Sequence, residues 1–335
     1  MPSAEPNPNK VLVIGDTTID HFVELSTTEA EPQCKLDTHE CKLVIPYGEK
    51  LPIQAYESII AGNGANAAVG AARLGLESAI WTVMGDDQIG HQAKAHFESE
   101  HVNVQHLELV KGEQSNVSVV IRVLGERTIL VYHYPRAYHL PAMDHAGWVY
   151  LTSMAKGWET IIPGLVKHLG AHGAKLVFQP GTHQLKSGHV VARELLHQTE
   201  LIIVNKEEAA DYLNHDRSTP IRQLLVGLHA LGPRLVVITD GTNGSYASDG
   251  SAMWKLGART DIERVEATGA GDGYATALMV ALAHGEPVPT AMTWGNLNAE
   301  SIIGYVGAQR GILTLAQMQD RLNDPKTLHA ETYHG

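Results

Sequence analysis

The chain has 335 residues, of which 44% are hydrophobic and 19% charged, so it can bury a large core in one large α/β domain or two smaller ones. A net charge of -12 without any cluster of Lys and Arg disfavours nucleic acid and anionic membranes as partners. No apolar run approaches the ~20 residues of a membrane span, so we expect a soluble cytoplasmic protein that acts on small molecules.

One folded domain is expected over residues 10–320, between two tails. Residues 1–9 are polar and rich in proline, which predicts a flexible tail rather than a signal peptide, and residues 321–335 are expected to form the second tail. Cys34 and Cys41 lack the paired spacing of a zinc site. Because so few cysteines are typical of a reducing compartment, two free thiols are predicted.

Short apolar runs separated by helical periodicity predict a parallel sheet covered by helices on both faces. The strands are predicted at Lys10–Gly15, Ala79–Met84, Trp148–Leu151, Lys175–Phe178, Leu201–Val204 and Leu235–Thr239. The helices are predicted at Asn63–Leu74, Gly90–Glu100, Thr160–His172, Lys206–Leu213, Pro220–Leu231 and Gly271–His284.

Two segments, about 20–60 and 115–135, have a different pattern. Alternating residues at 118–123 and 128–132, with a turn at Gly125-Glu126, predict antiparallel strands with one wet face. We expect both segments to form a small β-sheet lid over the carboxyl ends of the main sheet, where ligands bind in open α/β sheets.

The run Gly269-Ala270-Gly271-Asp272 opens the last predicted helix. Backbone N–H groups at such a turn lack intrahelical partners and can form an anion hole, which favours a phosphate. Asp272 beside that site would take the proton of an attacking hydroxyl in a phosphoryl transfer. The motif alone also fits an ordinary helix start with an Asp near its N-cap, so both interpretations stay open.

Four ordered motifs carry a resemblance to a known family. Glu266–Asp272 resembles the C-terminal signature of the PfkB (ribokinase-like) carbohydrate kinases, and Ala61–Gly75 with Gly85–Gly90 resembles a second signature. Asn205–Glu208 and Thr239–Gly244 resemble two shorter motifs of that family. The resemblance implies a ribokinase-like three-layer α/β sandwich with a central, mostly parallel sheet and a small β-sheet lid, which is often also the contact of a homodimer.

The resemblance also implies ATP and Mg²⁺ as cofactors. Glu208 is then the residue that holds Mg²⁺ through water, and the nucleotide-binding residues are Asn205, Thr239, Gly241, Gly244 and Asn296. Taken without the family, Asn205 and Glu208 also fit a helix capping box, and the two roles can coexist.

The acceptor is predicted to bind residues of the N-terminal half. Asp20 lies where the family's aspartate holds substrate hydroxyls, and Asp16 either shares that role or caps a strand. Gly62 lets a substrate approach the backbone, while Asn63 and Asn66 offer donors and acceptors. A pocket of this kind suits a small sugar or sugar derivative, with a nucleoside as the alternative.

Three residues depart from the family pattern, which leaves the use of a monovalent cation and the choice of substrate open. Glu266 replaces the usual Asp and Ala267 the usual Thr, at a loop that binds such a cation in many relatives. Gln179 stands before Pro180 where an Asn or Asp is common.

Two functions of other classes compete with a kinase. Gly62–Ala67 fits the dinucleotide fingerprint of an NAD(P)-dependent oxidoreductase, but the residues before it predict a lid strand rather than the buried strand that this fingerprint should follow. A non-catalytic sugar- or nucleotide-binding protein could use the same fold, although the presence of Asp272 argues against it.

Overall fold

A computed structural model describes residues 6–34, 41–124, 126–143 and 145–334. Its strands in chain order are β1 (Asn7–Ile14), β2 (Thr18–Glu24), β3 (Glu31–Cys34), β4 (Cys41–Val44), β5 (Ala55–Ala61), β6 (Glu77–Gly85), β7 (Asn103–Val110), β8 (Asn116–Val123), β9 (Glu126–Tyr132), β10 (Ala146–Leu151), β11 (Lys175–Phe178), β12 (Thr199–Asn205), β13 (Leu235–Thr239), β14 (Ser245–Ser248), β15 (Met253–Leu256) and β16 (Glu331–Thr332). Its helices are α1 (Asn63–Arg73), α2 (Gln88–Ser99), α3 (Ile162–His172), α4 (Thr182–Val191), α5 (Arg193–Leu196), α6 (Lys206–Tyr212), α7 (Ile221–Ala230), α8 (Ala270–Ala283), α9 (Val288–Ile302) and α10 (Leu315–Leu322).

The main sheet lies between two helical layers, as the predicted three-layer sandwich requires. Its strand order is β16-β15-β14-β13-β12-β11-β10-β1-β6-β7, parallel from β7 to β13 and antiparallel from β13 to β16. Val11 and Val13 of β1 pack in one core with α1, α8 and α9, whereas Leu12 and Ile14 pack in a second core with α3, α6 and α7. Because both faces of β1 are buried, its sequence is continuously apolar rather than alternating.

Residues of both predicted tails join the main sheet, and the structure contains elements that the sequence patterns did not show. Asn7 belongs to β1, where its N–H donates to the carbonyl oxygen of His145, and Tyr333 donates to the carbonyl oxygen of Met253 beside β16. The elements not predicted are β7, β14, β15, β16, α4, α5, α9 and α10. Within the described part of the chain, no helix combines the length and the apolar character that crossing a bilayer needs.

The predicted lid is a four-stranded sheet of order β5-β2-β8-β9. Its outer pairs are antiparallel as predicted, but β2 pairs with β8 in parallel, because both strands lead away from the main sheet in the same direction. The prediction of one wet face fails at β9, where Ile129, Leu130, Val131 and Tyr132 are 41–57% exposed on an edge strand. Gly125 of the predicted turn lies outside the described residues.

The prediction of two free thiols is wrong, because Cys34 and Cys41 form a disulfide. The two residues lie opposite each other on β3 and β4, with their Cα atoms 4.0 Å apart. Cysteines seven positions apart can face each other across a β-hairpin and form a disulfide. A comparison of their spacing with zinc sites alone does not reveal this arrangement.

The position of α1 depends on a close backbone contact with the end of β1. A Cβ atom added at Gly64 would lie 2.7 Å from the carbonyl carbon and 2.8 Å from the carbonyl oxygen of Gly15. A Cβ added at Gly170, in α3, would meet no atom within 4 Å. The two glycines therefore tolerate alanine very differently, although both lie in helices.

We expect Gly64→Ala to lower the free energy of unfolding by about 1–3 kcal/mol, because two backbone segments must separate. Gly170→Ala should raise that free energy by up to about 1 kcal/mol, since alanine is the better helix former. Urea denaturation of the two variants provides the measurement. Equal effects of both substitutions would show that the α1–β1 contact does not constrain the fold.

Candidate active site

Two adjoining cavities lie at the carboxyl ends of the parallel strands. The first, of about 600 Å³, is bounded by residues of the main sheet and of the lid, and the second, of about 380 Å³, lies along α8 and α9. Thr239, Ala267 and Gly271 line both. The predicted site residues lining the first cavity are Asp16, Asp20, Gly62, Asn63, Asn66, Asn205, Glu208, Thr239, Gly269, Gly271 and Asp272. Those lining the second are Thr239, Gly241, Gly244, Ala270, Gly271 and Asn296.

The glycine turn before α8 faces the junction of the two cavities. Gly269 is the N-cap with φ at 77°, and a Cβ there would lie 2.2 Å from the Cβ of Ala308, so this position requires glycine. The N–H of Ala270 donates to the carbonyl oxygen of Ala267 at 3.3 Å, a long bond. A Cβ at Gly271 would meet no atom within 4 Å, so this residue leaves the helix terminus open to an anion.

Asp272 is buried in the first turn of α8 and is surrounded by side-chain amides. Its Oδ1 accepts hydrogen bonds from Asn63 Nδ2 at 2.9 Å and Gln179 Nε2 at 3.1 Å, and its Oδ2 accepts one from Asn66 Nδ2 at 2.9 Å. Burial raises the pKa of Asp272, and the three amide donors oppose that rise. Gln179, noted above only as a departure from the family pattern, is thus in direct contact with the candidate base.

Asp16 and Asp20 lie in the first cavity as buried carboxylates with unused oxygens. Asp16 Oδ1 accepts the hydroxyl of Tyr138 at 3.0 Å, whereas Asp16 Oδ2 and Asp20 Oδ1 have no hydrogen-bond partner among the described residues. Burial raises the pKa of Asp16 and of Asp20 to about 6, against the hydrogen bonds from Tyr138 and Ser118 respectively. Unused carboxylate oxygens in a cavity suit a ligand that brings hydroxyl donors.

Asn205 and Glu208 form the capping box that the sequence allowed. The N–H of Glu208 donates to Asn205 Oδ1, and the N–H of Asn205 donates to Glu208 Oε2, both at 2.8 Å. Burial, and to a smaller extent the charge of Asp272, raises the pKa of Glu208. The cap uses one oxygen of Glu208, so the second one is available to a ligand.

A magnesium ion held by nucleotide phosphates fits this arrangement better than a site built from protein ligands alone. No group of three acidic, His or Cys side chains among the described residues could hold a metal ion. Because Mg²⁺ usually keeps several waters and needs only one or two carboxylates besides phosphates, Glu208 alone is sufficient.

The second cavity is bounded by the loop after β13 and by residues of α8 and α9. Gly244 has φ at 92°, and a Cβ there would lie 2.0 Å from the carbonyl oxygen of Leu256, so the loop after β13 approaches β15 closely. Asn296 donates from Nδ2 to Glu300 Oε1 at 2.8 Å. Among the residues that the structure describes, the side-chain carbonyl oxygen of Asn296 accepts no hydrogen bond. Glu300 was not found from the sequence, since nothing local distinguishes it from any other glutamate on α9.

Glu266, the second departure from the family pattern, joins two loops. Its Oε1 accepts the hydroxyl of Thr268, and its Oε2 accepts the N–H of Gly307 at 3.1 Å. The N–H of Glu266 in turn donates to the carbonyl oxygen of Ile303 at 3.1 Å. The loop before the glycine turn is therefore tied to the segment after α9 by direct protein contacts.

Comparisons with known proteins agree with this architecture. The family model described as pfkB family carbohydrate kinase matches residues 25–315. A ribokinase of Bacillus subtilis (strain 168) is 26% identical over 286 residues, covering 82% of this chain and 92% of its own. The structure of an Arabidopsis thaliana ribokinase complexed with ribose and ATP superposes with a TM-score of 0.78 at 20% identity, covering 96% of this chain and 99% of that one. A Methanocaldococcus jannaschii nucleoside kinase superposes with a TM-score of 0.76 at 17% identity, covering 95% and 99%.

The raised pKa of Asp16 predicts how stability changes with pH. Its pKa is about 6 in the folded chain against an ordinary 3.8, so this carboxyl contributes stability at low pH that is lost as the pH rises through about 6. We expect Asp16→Asn to gain stability relative to the wild type between about pH 4 and pH 8, by up to about 3 kcal/mol.

Asp249 is a control for which the stability should change with pH in the opposite direction. Burial tends to raise its pKa, but hydrogen bonds from Ala252 and Ser251 lower it below the ordinary value. Asp249→Asn should therefore lose stability relative to the wild type as the pH rises toward the ordinary value of 3.8, and its difference from the wild type should no longer change above about pH 5. Urea denaturation across pH tests both variants, and a stability difference for Asp16→Asn that does not change with pH would contradict the assignment.

Proposed function

The chain belongs to the pfkB family of carbohydrate kinases, and on that premise we propose that it transfers the γ-phosphoryl group of ATP to a hydroxyl of a small sugar or sugar derivative. The observation that carries this proposal is the position of Asp272. This buried carboxylate lines the first cavity and directly follows Gly271, which lines both cavities. A base at that junction lies between an acceptor on one side and a nucleotide on the other.

In the proposed reaction, Asp272 takes the proton of the attacking hydroxyl through Oδ2. A carboxylate oxygen has two lone pairs. Oδ1 already accepts two amides, whereas Oδ2 accepts only Asn66 among the described residues. The free lone pair of Oδ2 is therefore the one available to the acceptor, and Asp16 and Asp20 would hold its other hydroxyls through their unused oxygens.

The nucleotide would lie along the second cavity with its phosphates at the start of α8. The backbone N–H groups of the Gly269–Gly271 turn and the helix dipole stabilise the negative charge of the transferred group. Mg²⁺ bound with ATP supplies charge neutralisation, and Glu208 is the residue that would hold it. Thr239, Gly241 and Gly244 would border the nucleotide, with the free carbonyl of Asn296 facing its base.

The lining of the first cavity favours a sugar over a nucleoside, which is the second candidate acceptor. The lid contributes Ser118, Arg127, Ile129 and Val131, and no Phe, Tyr or Trp of the described chain lines this cavity. A nucleoside base usually stacks on such a ring, whereas hydroxyl groups match the paired carboxylates. The oxidoreductase alternative is disfavoured, because α1 follows β5 of the lid rather than a strand of the parallel sheet.

We further propose that the protein forms a homodimer through the lid. The four exposed apolar residues of β9, from Ile129 to Tyr132, lie on the edge of the lid sheet. An apolar edge strand is a template for pairing with another chain, and a second copy would cover it.

A screen for ADP formation from ATP and Mg²⁺ over sugars, sugar acids and nucleosides tests the function and identifies the acceptor class. Turnover with a sugar supports the proposal. Turnover confined to nucleosides selects the second candidate. Acceptor binding without turnover under all conditions would indicate a non-catalytic binding protein.

Asp272→Asn should lower kcat by at least ~10²-fold while the binding of ADP and of the acceptor, measured by calorimetry, stays within about twofold. The reason is that asparagine keeps the size of the side chain but cannot accept the hydroxyl proton. Asp249→Asn, at an exposed carboxylate in a turn, is the matched control and should keep full activity. An Asp272→Asn variant that retains more than about a tenth of the rate would exclude Asp272 as the base.

The contacts of Glu266 predict that potassium activates the enzyme weakly or not at all. The Glu266 carboxylate already joins Thr268 to Gly307, so the loop needs no cation to hold it. Initial rates are to be compared in sodium, potassium and a large organic cation at equal total salt, because screening alone alters the kinetics of charged substrates. A rise of several-fold that is specific to potassium would show that a cation site persists.

A further inference from the structure

A line of hydrogen bonds runs from Asp272 to the wall of a third cavity, separate from the two described above. Asn66 Nδ2 donates to Asp272 Oδ2 at 2.9 Å, and Gln309 Nε2 donates to Asn66 Oδ1 at 3.1 Å. The Oε1 of Gln309 lies 2.7 Å from His96 Nε2. Asn66 and Gln309 are buried, whereas His96 is half-buried on α2 and lines a separate cavity of about 470 Å³.

The direction of every bond in this line follows from the chemistry of Asp272. An ionised carboxylate only accepts, so Asn66 must present its NH₂ group to Oδ2 and its carbonyl to Gln309. Gln309 must then present its NH₂ group to Asn66 and its carbonyl to His96. His96 must therefore donate from Nε2, which the imidazolium and one of the two neutral tautomers both do.

Gln309 is held in place independently of its side chain. Arg73 Nη1 donates to the backbone carbonyl of Gln309 at 2.6 Å, while Nε and Nη2 of Arg73 bind the carboxylate of Glu100 at 2.8 Å and 2.7 Å. The backbone of Gln309 is thus held by Arg73, and its side-chain amide has two hydrogen-bond partners, Asn66 on α1 and His96 on α2.

The charged groups near His96 lie on α1, at the end of α2, in the segment after α9 and on the lid strand β5. Arg73 and Glu100 form the ion pair just described, and Arg310 forms an ion pair with Glu57 of the lid strand β5. These pairs leave Gln309 as the hydrogen-bond partner of the His96 ring.

We propose that His96 and Gln309 are positioning residues, which fix the amide of Asn66 so that its nitrogen faces Oδ2 of Asp272 and one lone pair of that oxygen stays free for the acceptor. The proposal rests on the proposed function of Asp272 as the base. If His96 could only accept, Gln309 would turn its NH₂ group outward and its carbonyl toward Asn66. Asn66 would turn in the same way and bring its carbonyl oxygen against the carboxylate, which is repulsive.

Nearly isosteric substitutions test this direction without changing the size of the side chains much. His96→Gln keeps a donor in reach of Gln309, whereas His96→Glu leaves only acceptors when it is ionised. Gln309→Glu keeps the acceptor for His96 but removes the donor to Asn66. Gln92→Glu is the matched control, because it adds the same charge one helical turn earlier on α2, in the same cavity.

In steady-state assays with the acceptor found by the screen, His96→Glu and Gln309→Glu should lower kcat by about tenfold or more, as expected when a hydrogen bond to a charged group is lost. Their KM for ATP should stay within about twofold, and the acid limb of the kcat–pH profile should move to higher pH, since Asp272 loses a donor that favours its ionised form. His96→Gln and Gln92→Glu should match the wild type. The proposal would be overturned if His96→Glu and Gln309→Glu both kept the wild-type kcat and an unmoved acid limb. It would also be overturned if His96→Gln or Gln92→Glu lost as much activity as they do.

A second readout needs no substrate and separates this proposal from the proposed function. The ¹³C resonance of the Asp272 carboxyl, assigned by its absence in Asp272→Asn, should titrate at higher pH in His96→Glu and Gln309→Glu than in the wild type, His96→Gln and Gln92→Glu. If this shift is found but no acceptor is turned over, the positioning role stands and the kinase proposal fails. If neither His96→Glu nor Gln309→Glu shows this shift, the positioning role is refuted whatever the activity.

Discussion

The structure depends on supplying hydrogen bonds to one buried carboxylate, that of Asp272. Moving a charge out of water costs several kcal/mol even after relaxation, unless hydrogen bonds replace the lost hydration. Asp272 meets this requirement with amides from two parts of the chain, Asn63 and Asn66 at the start of α1 and Gln179 after β11. Each of these segments must therefore be placed to within a few tenths of an ångström.

The backbone supplies that placement through close contacts that side chains would prevent. Gly64 lies against Gly15, so the first turn of α1 is fixed at the end of β1. Gly269 lies against Ala308, so the start of α8 is fixed against the segment that carries Gln309. The short connection from β1 of the main sheet to β2 of the lid also brings Asp16 and Asp20 to the same cavity as Asp272.

The features that could be predicted from the sequence are those with a local or repeated pattern of residues. Continuous apolar strands predicted the parallel sheet, and short glycine motifs predicted residues that the structure brings to two adjoining cavities. Gln309 and His96 had no such signal, because Gln309 contacts Asn66 243 residues away and His96 contacts Gln309 213 residues away, and neither contact leaves a local pattern. The disulfide and β7 were missed for a similar reason: the first depends on a hairpin register, and the second is a half-exposed edge strand whose apolar run is weak.

The groups that hold Asp272 are all neutral amides, and this has a consequence for how the protein responds to its solution. Mobile ions weaken interactions between exposed charges, but they act much less on a buried carboxylate bound by uncharged dipoles. The proton affinity of Asp272 should thus be nearly the same in dilute buffer and at physiological salt. Arg127 in the lining of the first cavity is exposed and remains open to that effect. Under the proposed function, changes of activity with ionic strength would therefore report on how charged ligands reach the site rather than on the proton transfer.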